Sequence, residues 1–299
     1  IITEGEKAGV VEAKKDLTLY GKQTRPLPKR LEYSTEIRIP GVTGSESGSV
    51  KFLNETGVEL KRDGDWLHWV DLEFDEKREV VSALIQKAIQ NGVPADRINQ
   101  LVGTTYELQL EQDGTSLRDT SEFSTLLNAT ARYEREDVGL AVCCGDRGEM
   151  HSEAKTLLRE HQKNISEGVA WVAENGVEHE DAVQWFDAGN EIKETIVGII
   201  AGMSFGEGNV KRDTPVIAFA DKEVERENGE TETQRKVSSR GNRNLTRSGL
   251  DLSVVMQQAA ETVGGDGGGH DIAAGATIPR GERDAFISHV DDIVSEQLN

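Results

Sequence analysis

Apolar residues recur every three or four positions through much of residues 31–180, the period of helices with one buried stripe. Between residues 45 and 56, Val50, Phe52 and Leu53 fall on one side, and Gly57 follows as a stop. Asp75 reads as the cap of a second helix to Gln90, with Val80, Val81, Leu84, Ile85, Ala88 and Ile89 as its stripe and Gly92 beyond its end. Two more helices fit near 121–132 and 149–174. In the gap before the second helix, Trp66, His68 and Val70 alternate with Leu67, Trp69 and Asp71, as in a short extended segment. The last third changes period. Ile196-Val197-Gly198-Ile199-Ile200 and Val216-Ile217-Ala218-Phe219-Ala220 are apolar runs of strand length. Asn228-Gly229 signals a hairpin between an acidic ribbon (221–227) and a strand at 235–240. A helix over 250–262 carries Leu250, Val254, Val255 and Ala259. A strand ending at Pro279 follows, and then a helix over 282–298 that buries Phe286, Val290, Ile293 and Val294. The pattern predicts an α/β chain: a mostly helical middle section, then a C-terminal α/β domain. No internal repeat is visible.

Composition narrows this only slightly. A hydrophobic fraction of 36% with 31 glycines in 299 residues suits a globular chain of about two domains. Pro26 and Pro28 mark an expected linker or domain edge. No run approaches the roughly 18 apolar residues of a membrane span. Ile1-Ile2-Thr3-Glu4 is not a signal peptide, and a first residue other than Met suggests an internal piece of a longer protein. The two cysteines, Cys143 and Cys144, are adjacent and offer no zinc spacing. They are expected to be small buried hydrophobes in a reduced, cytoplasmic setting.

Charge changes the picture more. The net charge of −20 argues against nucleic-acid binding, but its distribution argues back. Residues 233–250 hold Arg235, Lys236, Arg240, Arg243 and Arg247 with no acid. Residues 17–31 hold Lys22, Arg25, Lys29 and Arg30, also with no acid. An acidic coat over the rest, with only 5% aromatics, is the composition of a halophile's protein. In molar salt the screening length falls to about 3 Å, so such a coat would not repel a polyanion at a basic cleft. A merely solvated face is the alternative for each stretch.

The densest chemistry lies at Gly264-Gly265-Asp266-Gly267-Gly268-Gly269-His270. Five glycines in six positions should form neither helix nor ordinary strand. They are expected to let backbone N–H groups gather around an anion, with His270 donating to a phosphate or moving a proton. His179, inside Glu178-His179-Glu180-Asp181, is read as hydrated surface rather than a metal ligand. His151, His161 and His289 sit in helical patterns. Trp66 and Trp69 are read as core rather than as a base-stacking platform.

The Gly267-Gly268-Gly269-His270 block, followed by Ala273-Ala274-Gly275-Ala276, resembles the signature of the DHHA1 domain of DHH phosphoesterases. Ser238-Ser239-Arg240 is similar to that domain's Ser-x-Arg strand, and residues 194–203 to its opening strand. Leu31-Glu32-Tyr33-Ser34-Thr35, Pro40-Gly41-Val42-Thr43-Gly44 and Leu126-Leu127-Asn128-Ala129 resemble the archaeal RecJ-like branch, although Thr130-Ala131-Arg132 departs from its Cys-Gly-Arg. The resemblance implies three parts: the tail of a DHH domain (1–30), a mostly helical connector (31–185) and a DHHA1-like nucleic-acid-binding domain (186–299).

It further implies a metal-dependent exonuclease that hydrolyses single-stranded DNA or RNA from an end, in repair or replication. His270 would be the catalytic side chain, and Ser238, Arg240, Arg243, Gly267, Gly268 and Gly269 would bind phosphate. Mn²⁺ or Mg²⁺ would be held by an N-terminal domain whose Asp-His-His motifs are absent here. No metal ligand is therefore expected on this chain, and the 299 residues alone are expected to be inactive. Two other readings compete. One is a non-catalytic replisome scaffold, with GINS and the MCM helicase as partners. The other is a phosphodiesterase of cyclic dinucleotides or short oligonucleotides. A membrane partner is not expected.

Overall fold

The computed structural model describes residues 1–34, 37–225 and 231–298. It divides into two units, one formed by Ile1–Ala131 and Glu136–Ala154, the other by Arg132–Arg135 and Lys155–Asn299. The first contains α1 (Ile2–Lys7), β1 (Val11–Leu17), α2 (Leu27–Glu32), α3 (Glu46–Glu55), β2 (Lys61–Arg62), β3 (Asp65–Trp66), α4 (Phe74–Gln90), α5 (Ala95–Ile98), β4 (Val102–Leu108), α6 (Thr120–Arg132) and α7 (Glu136–Cys143). β1 pairs antiparallel with β4. Leu27 and Leu31 of α2, Phe52 and Leu53 of α3, and Val80, Leu84 and Ala88 of α4 share one core with Trp69. Ser45 caps α3 by accepting from the Gly48 N–H. Helix α4 starts one residue before Asp75, because Glu73 and Glu76 close a reciprocal capping box.

Most of the basic stretch 17–31 is consumed inside this unit. Lys22 is 3% exposed and pairs with Asp16 (3.1 Å) and Glu107 (2.7 Å). Arg30 is fully buried, donates to the Leu17 and Leu19 carbonyls and lies over the Trp69 ring. Lys29 pairs with Glu32 and Glu46, and Arg25 stacks on Tyr20 and Tyr33. Nor are Pro26 and Pro28 a linker. Pro28 occupies the first turn of α2, where a missing N–H costs nothing.

The second unit is built on a six-stranded mixed sheet. After α8 (Glu149–Asn175), most of which belongs here, come β5 (Glu178–His179), β6 (Gln184–Asp187), α9 (Val197–Met203), β7 (Val216–Glu225), β8 (Thr231–Arg240), α10 (Arg243–Arg247), α11 (Leu252–Thr262), β9 (Asp266–Gly269), β10 (Ala273–Pro279) and α12 (Arg283–Leu298). The strand order is β5-β6-β7-β8-β10-β9, with only β6 and β7 parallel. Side chains alternate between the sheet's faces. Ile217, Phe219, Val237, Ala274, Ala276 and Ile278 face α11 and α12. Phe186, Val216, Ala218 and Ala220 face the other way, against Val172 of α8 and Val197, Ile200 and Ala201 of α9.

Several local expectations fail for identifiable reasons. The run 196–200, read as a strand, is helix α9, since a short apolar run does not distinguish the two states. The glycine stretch, read as irregular, contains strand β9 at the sheet edge. Cys143 and Cys144 are exposed at the end of α7 rather than buried. Trp69 is core, but Trp66 is exposed, with Lys61 over its ring. The Asn228-Gly229 turn lies outside the described residues, although β7 and β8 do pair antiparallel on either side of it.

Candidate functional site

Alternation along β8 splits its cations between the two faces. Arg235 points with Val237 toward the α11–α12 side, where Asp187 (3.1 Å) and Asp221 neutralise it. Arg283 completes that cluster, 3.0 Å from Asp187 and over the Trp185 ring. Lys236, Ser238 and Arg240 point the other way. Among the described residues, no carboxylate comes within ion-pair range of Lys236 or Arg240. Burial pulls the Arg240 pKa below its usual value, and the positive charge of Arg132 pulls it further. A guanidinium does not discharge in a protein, so this shift marks a desolvated cation without a counter-ion.

Helix α9 positions that cation. A Cβ on Gly198 would lie 2.4 Å from Arg240 Nη2 and 3.0 Å from Ser238 Oγ. A Cβ on Gly202 would lie 3.7 Å from Arg240 Cγ and Cδ. Residues four apart share a helix face, so the two glycines open a groove along the arginine. Each glycine costs the helix roughly 0.5–1 kcal/mol, which is the penalty for letting Arg240 lie flat. Its Nη1 donates to the Ser239 carbonyl at 2.8 Å.

Strand register carries the face outward to β9. Gly268, Gly275, Ser238 and Ala218 form one cross-strand row. The next row holds Ala273, Arg240 and Val216, and His270 joins it through reciprocal backbone hydrogen bonds with Ala273. The row on the other side holds Asp266, Thr277, Lys236 and Ala220. While α8 and α9 cover the β6–β7 part and α9 reaches over Ser238 and Arg240 of β8, the β10–β9 part carries a floor of small residues between two rows bearing unpaired cations. His270 is exposed at the β9–β10 turn.

The three consecutive glycines of β9 differ in what requires them. A Cβ at Gly267 would meet the Met256 carbonyl oxygen of α11 at 2.4 Å. Gly269 has φ +148° and would bring a Cβ within 2.6 Å of Ala274 Cα. Both are demanded by the fold. Nothing lies within 4 Å of a Cβ at Gly268, so packing does not require glycine there. The ladder also corrects the expected cradle of successive N–H groups. His270 bonds back to Ala273, so the Gly268 N–H faces β10, and only those of Gly267 and Gly269 face the open edge.

Of the residues singled out in the sequence, Ser238, Arg240, Gly268 and His270 share this face. Arg243 does not join them. It is exposed on α10, whose Leu245 packs into the opposite core. Lys236 belongs to the face but was missed; the alternating Lys236-x-Ser238-x-Arg240 was the signal that could have found it. Among the described residues, no group of three or more His, Cys, Asp or Glu side chains is placed to hold a metal, so this chain's own residues do not fit one. No helix among them is long and apolar enough to cross a membrane.

A mixed sheet packed between helices, with a glycine-bearing edge strand and cations left without a carboxylate partner, defines an α/β domain. Residues 181–296 match the DHHA1 domain model and residues 19–102 match the DHH-CID domain model. The chain thus carries a DHH-CID domain followed by a DHHA1 domain. An uncharacterized protein of Methanocaldococcus jannaschii is 28% identical over 298 residues, covering 100% of this chain and 59% of that protein. The chain therefore spans little more than half the length of that relative. CDC45 from Entamoeba histolytica shares the fold, with a TM-score of 0.56 at 10% identity over 96% of this chain and 58% of its own. RecJ from Thermus thermophilus, solved with Mn²⁺, aligns at 14% identity over 74% of this chain and 30% of its own, with a TM-score of 0.45.

Proposed function

We propose that this chain is the substrate-binding part of a RecJ-like DHH phosphoesterase that removes nucleotides from an end of single-stranded nucleic acid. Arg240 and Ser238 hold a phosphate over Gly268, and His270 reaches the reacting group from the β9–β10 turn. The divalent metal, Mn²⁺ or Mg²⁺, belongs to a domain outside these residues. The observation that carries the reading is the desolvated, unpaired Arg240 on the same face as Gly268 and His270. A half-buried arginine without a carboxylate, in a groove cut for it by two glycines, suits an external anion.

The test compares Arg240→Ala with His270→Ala in the whole protein. Arg240→Ala should weaken oligonucleotide binding by about 1.5–3 kcal/mol, the worth of a charged hydrogen bond. It should also flatten the salt dependence by about 0.7 in slope. His270→Ala should lower turnover by ~10²-fold with little change in binding. Two well-folded variants with wild-type kinetics and affinity would refute the assignment.

The likeness to CDC45 over 96% of the chain favours a second reading, a replisome scaffold with GINS or the MCM helicase as partners. A scaffold would bind such a partner equally well after Arg240→Ala, whereas the nuclease would bind its substrate more weakly.

A further inference from the structure

The open face carries a second cation that the Arg240–His270 row does not use. Lys236 stands on the far side of Ser238, and its Nζ lies 3.8 Å from where a Gly275 Cβ would be, over the floor. The Arg240 guanidinium lies instead over Gly198. Four strand positions separate the two residues, about 13 Å between their α-carbons. Lys222 comes from β7 on the same face, diagonal to Lys236. Burial holds the Lys236 pKa below its usual value, Lys222, Arg240 and Arg132 add repulsion, and Glu194 opposes them. Asp266 occupies the same row two strands away. Neither Glu194 nor Asp266 is in ion-pair range of the ammonium. A half-buried lysine among like charges is unfavourable until an anion joins it.

Resting on the reading of Arg240 as a phosphate clamp, we infer that Lys236 is a second phosphate subsite and that the ligand is a nucleotide chain carrying at least two phosphates. One phosphate sits at Arg240, the next at Lys236, and the Gly268–Gly275 pair lies beneath the sugar and base between them. A ligand with a single phosphate fills only one subsite.

The thymidine dinucleotides TpT, with one phosphate, and pTpT, with two, separate the cases. Each is titrated into the whole protein without divalent metal, over a series of salt concentrations. Log affinity should fall with log salt more steeply for pTpT than for TpT, because two phosphates rather than one are neutralised. Lys236→Met should bring the pTpT slope down toward that of TpT and leave the TpT slope unchanged, and Lys236→Arg should restore the steeper value. Arg240→Ala should weaken both ligands. Equal loss on TpT and pTpT in Lys236→Met, or an unchanged pTpT slope, would overturn the second subsite while leaving the clamp. If wild-type protein bound neither ligand, the clamp would fall and the subsite with it. Thermal melting identifies a misfolded variant, in which case Lys236→Gln carries the same comparison.

Discussion

Replacing each glycine of the 267–269 run by alanine separates what the fold needs from what a ligand needs. At Gly267 the new methyl meets the Met256 carbonyl oxygen at 2.4 Å, its carbon at 2.9 Å and Ala260 Cβ at 3.2 Å. The obstruction is helix backbone, so α11 and β9 must move apart, an overpacking worth about 1–3 kcal/mol. For a unit of about 150 residues this lowers Tm by roughly 3–9 °C. At Gly269 the positive φ adds backbone strain to a 2.6 Å clash with Ala274 Cα, so the loss should be at least as large. Gly268→Ala should behave oppositely. Its methyl has open space, and alanine in a strand is favoured over glycine by roughly 0.5–1 kcal/mol, so Tm should hold or rise. That methyl nevertheless stands on the floor between Arg240 and Lys236. Affinity for a labelled single-stranded oligonucleotide should fall about tenfold, or ~1.4 kcal/mol. Calorimetry and fluorescence anisotropy at fixed salt read the two effects independently. Wild-type affinity in Gly268→Ala, or wild-type melting in Gly267→Ala, would refute the division.

Three further outcomes follow from the packing. Gly198→Ala places a methyl where the Arg240 guanidinium lies, so it should preserve melting but weaken oligonucleotide binding; unchanged binding would show that α9 does not seat the arginine. His161 is buried with its Nδ1 unpartnered, and burial followed by Arg132 lowers its pKa. The unfolded chain therefore protonates first as pH falls below about 6.5. The stability this histidine contributes is held above that pH and lost as pH falls toward the lower folded value, and His161→Phe should abolish this part of the pH dependence. Lys22→Met strands Asp16 and Glu107 beside a buried apolar group and should cost about 3–5 kcal/mol in denaturant titrations; a loss below about 1 kcal/mol would contradict its role as their counter-ion.

Local period was enough to read α4, α6 and α8, because each buries one stripe on neighbours it does not have to specify. It failed where a distant partner decides. Residues 196–200 are equally apolar as strand or helix, and their fate depends on lying across β7 and β8. The glycine stretch was legible as unusual but not as β9, since the reason for Gly267 is a carbonyl on α11. The same limit shaped the site. Arg240 and His270 stood out by type, but their common face depends on the β8–β10 register. Arg243, just beyond the end of β8, looked equivalent in sequence and leaves the sheet altogether. Lys236 was hidden by its neighbour Arg235: adjacent cations look alike until alternation assigns one to a pair of aspartates and the other to open space.

That alternation ties ligand recognition to folding itself. Slipping β8 by one position would drive Lys236 and Arg240 into the apolar layer under α11 and α12, and would lift Val237 and Ser239 onto the open side. Two desolvated charges and a lost valine contact make that sheet untenable. The chain therefore has no well-packed alternative pairing in which the unit is intact but the cations are missing from the surface. Quality control that inspects only the packing of this sheet would, in the same act, have inspected its chemistry.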